Sequence, residues 1–302
     1  MLEPALLPTP LVDCTDAALA RAGVELRLKR DDLLHPTVPG NKWRKLAPNL
    51  AAAVEQGHTR LLTFGGAYST HLRAVAVAAA ALGLTSVGLV RGEELADRPR
   101  NWSLRAAEDA GMELAFLSRA EYREATGRGG TDTTDGLQRR WGPCLVLPEG
   151  GSNALAAMGA AAIPAELPDL GTHDVVCCPV GTGATLAGIA AGLPPGARAL
   201  GVAVLRGGAG YLEGEVARLH RAAYGREFGN WRIDHGHHGG GYGKVPAELA
   251  DFADSFERRQ GIALERRYVA KLLAALYDLA AAGAFPQGTR LTAVVTGLPD
   301  PA

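Results

Sequence analysis

No stretch of this sequence offers the ~18 or more uninterrupted apolar residues that a membrane-spanning helix needs. The N-terminus, MLEPALLPTPLVD, lacks the basic start and apolar stretch of a signal peptide. Cysteine is scarce: Cys14, Cys144, Cys177 and Cys178 are the full set, and no pair has CxxC spacing. That argues against zinc-ribbon and thioredoxin patterns, and no metal site is expected. Cys177 and Cys178 sit in an apolar run and read as reduced core residues. Charge of one sign is also missing. The 31 basic and 32 acidic residues give a formal net charge of −1, which argues against a nucleic-acid footprint or an acidic tail. The longest charged cluster, Glu265-Arg266-Arg267, is short and reads as a solvated helix start. There is no internal repeat. The expectation is a soluble, reducing, cytoplasmic protein with no membrane or nucleic-acid partner.

What is present is ample apolar material. The chain has 302 residues, 47% of them hydrophobic, at a mean hydropathy of +0.01. That suits one large domain or two closely joined ones. Short apolar runs alternate with longer Ala-rich segments. Leu61-Leu62-Thr63-Phe64, Thr85 to Val90, Leu145-Val146-Leu147, Val175 to Pro179, Leu200 to Val204 and Leu291 to Val295 read as strands. Ala74 to Ala81 and Asn101 to Ala110 read as helices. Strand, Gly-rich turn and helix in repetition argue for a parallel sheet covered by helices, with ligands where strands end and helices begin. Gly127 to Gly136 has no apolar anchor and reads as a loop. His235 to Gly243 is a second irregular stretch. Its Gly239-Gly240-Gly241 run suits either a close backbone approach or a surface loop.

Three stretches could carry chemistry. In CCPVGTGATLAG, Cys177 to Gly188, a buried strand ends and Gly181-Thr182-Gly183-Ala184-Thr185 opens a helix. Glycines let backbone N–H groups approach an anion at the positive helix end, and Thr182 and Thr185 add hydroxyls. Leu186 stands where a dinucleotide fingerprint wants glycine, and Gly243-Lys244-Val245 breaks the P-loop pattern. The turn therefore fits a monophosphate cup or, equally, a tight turn with no ligand. Gly40-Asn41-Lys42-Trp43-Arg44-Lys45-Leu46 reads alone as a solvated basic helix start. Its functional reading is a tight turn delivering Lys42, as a Schiff-base lysine, into a cleft. Gly65-Gly66-Ala67-Tyr68-Ser69-Thr70-His71 follows a strand, with Ser69 or Thr70 placed to cap the next helix. Its N–H groups and hydroxyls could also hold a substrate carboxylate. His71 alone reads as structural.

Taken in order, these pieces resemble the 1-aminocyclopropane-1-carboxylate (ACC) deaminase / D-cysteine desulfhydrase family. The resemblance runs through Pro8-Thr9-Pro10-Leu11, Lys29-Arg30-Asp31-Asp32-Leu33, Gly40 to Leu46 and Gly65 to His71. It continues through Pro148-Glu149-Gly150-Gly151-Ser152-Asn153-Ala154-Leu155, Gly181 to Gly188, Gly241-Tyr242-Gly243 and Thr296-Gly297, so it spans nearly the whole chain.

The resemblance implies an α/β fold of the tryptophan-synthase-β type (PLP fold type II). Two open, twisted, mainly parallel sheets would form a large lobe, 1–44 with 150–302, and a small lobe, 45–149. It implies pyridoxal 5′-phosphate joined through Lys42, with the phosphate held by Gly181, Thr182, Gly183, Ala184 and Thr185. Thr296 would lie near the pyridine nitrogen, where a hydroxyl leaves the ring less protonated than a carboxylate would. Thr70 stands where the family has an asparagine at the cofactor's phenolic oxygen. Lys42, Ser69 and Tyr242 form the implied catalytic set, and Asn41, Tyr68, Ser69, His71 and Tyr242 the substrate set. The acidic residue that ACC deaminases tend to carry before the tyrosine is replaced by Gly241, and the Thr-Gly-Gly ending by Thr296-Gly297-Leu298. The expectation is elimination or deamination of a small amino acid by a homodimer. D-cysteine desulfhydration comes first. The alternatives are ACC deamination and a protein that binds cofactor or ligand without turnover.

Overall fold

The near-continuous apolar runs become strands buried on both faces, the pattern of parallel sheets sandwiched between helices. In the computed structural model, which describes residues 6–38, 40–127 and 133–299, ten strands form two sheets. They are β1 (Leu11–Cys14), β2 (Val24–Lys29), β3 (Arg60–Gly65), β4 (Thr85–Arg91), β5 (Met112–Leu117), β6 (Leu145–Leu147), β7 (Asp174–Val180), β8 (Arg198–Ala203), β9 (Trp231–Asp234) and β10 (Thr289–Val294). The larger sheet has the order β1-β2-β10-β7-β8-β9, and the smaller β5-β4-β3-β6. Every pairing is parallel except β1 with β2. No helix among the described residues is long and apolar enough to cross a membrane.

Each sheet is covered on both faces. On the larger sheet, Leu26, Leu28, Cys177 and Leu291 pack with Leu272, Leu273 and Leu276 of helix Val269–Ala281. On its other face, Val176, Cys178 and Val180 pack with helices Ala154–Ala160 and Ala184–Gly192. Helix Ala184–Gly192 is buried from Ala184 to Ala190, as befits a helix apolar all round. The smaller sheet packs Leu61 and Val90 against helices Lys42–Glu55 and Thr70–Ala81, and Leu62, Phe64 and Leu89 against Tyr122 and Leu137. The four cysteines are free and buried.

Two expectations are corrected. The segment 127–136 was expected as a loop. Residues 128–132 lie outside the described residues, but helix Thr133–Trp141 begins at 133 and takes in Gly136. Its anchor lies just beyond the polar run: Leu137 is buried in the small-sheet core, with Trp141 against it. Glu265, expected in a solvated helix start, is instead 3% exposed. Its carboxylate accepts from the backbone N–H groups of Arg267, Tyr268 and Val269 at 2.8, 2.7 and 3.2 Å. It therefore serves the open N-terminus of helix Val269–Ala281, where a negative charge is favoured.

A buried ion network fixes the helix that carries Lys42. The Arg44 guanidinium binds Asp31 at 2.7 and 2.8 Å and Glu166 at 2.7 and 2.9 Å. Lys29 Nζ donates to Glu166 at 2.7 Å and to the Thr9 carbonyl at 2.7 Å.

Candidate active site

In parallel α/β sheets, ligands sit beyond the carboxyl ends of the strands. Both sheets present such ends to one cleft of about 200 Å³. From the smaller sheet come Gly65, Gly66 and Ser69 after β3, Arg91 at the end of β4, and Glu149 after β6. From the larger sheet come Gly181 to Leu186 after β7, Leu205 after β8 and Thr296 after β10. Asn41, Lys42 and Lys45 enter from the start of helix Lys42–Glu55, and Tyr242 and Tyr268 from two further segments.

The turn before Lys42 is tied to the far side of the cleft. Gly40 has φ +51, and a Cβ there would collide with the Thr296 carbonyl, so only glycine fits this close approach. The Asn41 N–H then donates to that carbonyl at 3.2 Å. The Asn41 side-chain amide donates to Thr185 Oγ1 at 3.0 Å, and its oxygen accepts from Lys42 Nζ at 3.3 Å. Lys42 is brought down to about 8, first by burial. Nearby Arg73 acts in the same direction, and Glu265 opposes. About a tenth of this amine is therefore neutral and nucleophilic at pH 7, far more than an exposed lysine offers.

The phosphate-type turn has the donors an anion needs. Gly183 takes φ +87 as N-cap of helix Ala184–Gly192, and no side chain caps the helix. Its first residues, Ala184 to Leu186, line the cleft together with Thr182. The Thr185 oxygen already accepts from Asn41, so its proton is free to donate. A primary amine, an uncapped helix N-terminus and two threonine hydroxyls on one cleft are the donor set that a phosphorylated pyridine aldehyde requires, and the residues fit it.

Across the cleft, Ser69 caps helix Thr70–Ala81, its oxygen accepting from the Leu72 N–H at 3.2 Å. Its own proton remains available. His71 is 2% exposed, and burial, then the nearby lysines Lys45 and Lys42, hold it well below the usual histidine range. Thr63 Oγ1 donates to the Leu147 carbonyl at 2.9 Å, so it accepts from His71 Nε2 at 2.8 Å. That fixes the tautomer with a bare Nδ1, which has no hydrogen-bond partner among the described residues.

Of the candidate site residues, Asn41, Lys42, Ser69, Thr70, His71, Gly181, Thr182, Gly183, Ala184, Thr185, Tyr242 and Thr296 all line the cleft. Tyr68 does not. Its ring is 42% exposed, with the Arg267 guanidinium 4.9 Å from its centroid. Sequence reasoning missed Tyr268, Arg91 and Glu149. Tyr268 meets Tyr242 edge-on, with ring centroids 6.2 Å apart. Burial, then the adjacent Tyr242, push it well above the ordinary tyrosine range. The available signal was an aromatic directly after Glu265-Arg266-Arg267, at the start of a helix. Lys45 is also on the cleft, bonded to the Gly150 carbonyl and held well below its ordinary value by burial and by Lys42.

The family described as pyridoxal-phosphate dependent enzyme matches residues 2–297. A D-cysteine desulfhydrase of Klebsiella pneumoniae is 31% identical over 289 residues, covering 90% of this chain and 85% of that protein. A Thermotoga maritima protein provisionally named 1-aminocyclopropane-1-carboxylate deaminase is 30% identical over 289 residues, covering 92% of this chain and 91% of its own length. Among solved structures, an ACC deaminase homologue superposes with a TM-score of 0.83 at 26% identity, covering 98% of this chain and 91% of that one.

Proposed function

The chain belongs to the pyridoxal-phosphate-dependent enzyme family, and from that premise we propose that it eliminates the β-substituent of a small amino acid, as a D-cysteine desulfhydrase does. The observation that carries this reading is the Lys42 amine, brought to about 8, on the same cleft as the uncapped Gly181–Thr185 turn.

Lys42 would hold the cofactor covalently, Gly181 to Thr185 its phosphate, Thr296 its ring nitrogen and Thr70 its phenolic oxygen. When bound, the cofactor supplies an electrophilic carbon and a sink for electrons released at the substrate's Cα. Ser69, with the first N–H groups of helix Thr70–Ala81, orients the substrate carboxylate. Lys42, mostly neutral above pH 8, accepts the Cα proton. The Tyr242–Tyr268 pair lines the same cleft, with Tyr268 kept protonated by its surroundings, and offers a proton to the departing group. Pyruvate, ammonia and sulfide are the expected products from D-cysteine, the last step being hydrolysis.

The reading assigns 1–44 and 150–302 to a large cofactor-binding lobe and 45–149 to a small lobe that closes over the substrate. It places the protein in the cytoplasm as a homodimer. ACC deamination is the second reading, favoured by the Thermotoga relative's name; Gly241, in place of an acidic residue, argues for the first.

The test is an absorbance spectrum of purified protein, followed by D-cysteine and ACC in parallel with assays for sulfide and oxoacid. Sulfide with pyruvate from D-cysteine supports the proposal, and oxoacid from ACC alone supports the second reading. A cofactor-loaded protein that releases neither product defeats both.

A further inference from the structure

The cleft holds a guanidinium that the proposed chemistry does not use. Arg91 ends β4, immediately beside the Gly65–Ser69 segment that ends β3, since Gly65 and Val90 are register partners. Its side chain is exposed on the cleft. Its guanidinium stacks toward the buried Tyr122 ring at 5.7 Å, a contact that orients a cation without using its N–H donors. No carboxylate among the described residues pairs with it. Glu149, the acidic residue on the same rim, follows β6 on the opposite side of β3, about 10 Å away at the backbone. Gly66 keeps the approach open: even an added Cβ would stand 3.8 Å from Arg91 Nη2. A planar fork with unspent donors on a ligand cleft matches an oxyanion. The phosphate and the α-carboxylate already have places, at Gly181–Thr185 and at Ser69.

We propose that Arg91 is a specificity-determining residue that binds an acidic group at the far end of the substrate side chain. Amino acids carrying a second oxyanion, of which a carboxylate is the simplest, are then bound more tightly than neutral amino acids of the same shape. This rests on the proposed function for the placement of the cofactor and of the α-carboxylate.

The probes are the two enantiomers of aspartate, of its neutral isostere asparagine, and of alanine. Each is titrated into holoenzyme and followed by the cofactor absorbance and by calorimetry. One enantiomer of aspartate should bind about tenfold or more tighter than the matching asparagine, as befits a charge-assisted pair. Arg91→Gln should abolish that difference while leaving alanine within about twofold. Arg91→Lys, which keeps the charge but not the fork, should restore part of it. A wild type that does not prefer aspartate overturns the proposal. So does a variant that loses alanine and aspartate equally, because Arg91 would then serve the α-carboxylate. These are binding measurements, so a failed sulfide assay and a failed aspartate preference are separate results.

Discussion

The side-chain amide of Asn41 donates to the hydroxyl oxygen of Thr185 at 3.0 Å, joining the residue before the candidate cofactor lysine to the turn proposed for the phosphate. The same amide's oxygen accepts from Lys42. Asn41→Ala removes both and leaves the fold's core untouched. A net hydrogen bond of about 1 kcal/mol predicts cofactor retention weakened about fivefold in equilibrium dialysis. Unchanged retention would separate this contact from cofactor binding.

Lys42 predicts a pH signature in the apoprotein. It sits at about 8 in the fold, chiefly through burial, against an ordinary 10.5. Between these values the unfolded chain holds more protons, so this group makes stability rise with pH across that window. Below pH 8 its penalty is present in full. Lys42→Met should therefore raise the apoprotein's Tm most near pH 7 and progressively less above pH 8. A pH-independent difference would mean the amine is solvated.

Glu166 shares that slope with pH, but as a stabilising anion at neutral pH rather than a penalised cation. Burial pushes its carboxyl up, and the hydrogen bonds and charges of Arg44 and Lys29 more than offset this, leaving it at about 2. Its contribution is full above the ordinary value of 4.5 and is lost as pH falls toward 2. Glu166→Gln should lower Tm at pH 7 and flatten its fall between pH 4.5 and 2. Removing one partner of a buried pair costs about 3–5 kcal/mol, so Arg44→Met should be the more severe change.

Lys271, 1% exposed, donates to the Gly241 carbonyl at 2.8 Å. Gly241 has φ +116 and precedes Tyr242, so this bond ties the glycine run that presents the tyrosine to helix Val269–Ala281. Lys271→Met should speed amide exchange at Gly239–Gly243 about tenfold, the scale of a lost charge-assisted bond, with little change in the β strands. Exchange that speeds up everywhere would point to a general loss of stability.

Much of this was legible from residues in order. The strands β3, β4, β7, β8 and β10 announce themselves as apolar runs before glycine, and the cleft residues follow from where those runs end. The short or half-exposed strands β1, β5 and β9 gave no such run. β2, with Arg27 and Lys29 within it, looked polar because Lys29 is a buried charge that only its distant partner Glu166 explains. Glu265 was misread for a related reason. A carboxylate beside two arginines looks solvated until three backbone N–H groups from the next turn are seen to converge on it. Tyr68 was drawn into the site by its neighbours in sequence, yet Ser69 turns inward as the helix cap while the tyrosine before it stays outside.

The strand order β2-β10-β7 inserts the last strand of the chain between the first parallel strand and the centre of the larger sheet. The smaller sheet, by contrast, is made wholly from residues 60–147. On a ribosome, the smaller sheet can therefore be finished while the larger one still waits for its middle. The Lys42 turn, which leans on the Thr296 carbonyl, has nothing to lean on until β10 and the residues just after it have been made. A chain that stops before β10 would be born without the carbonyl against which that turn is set, and without the strand that joins the two parts of its larger sheet.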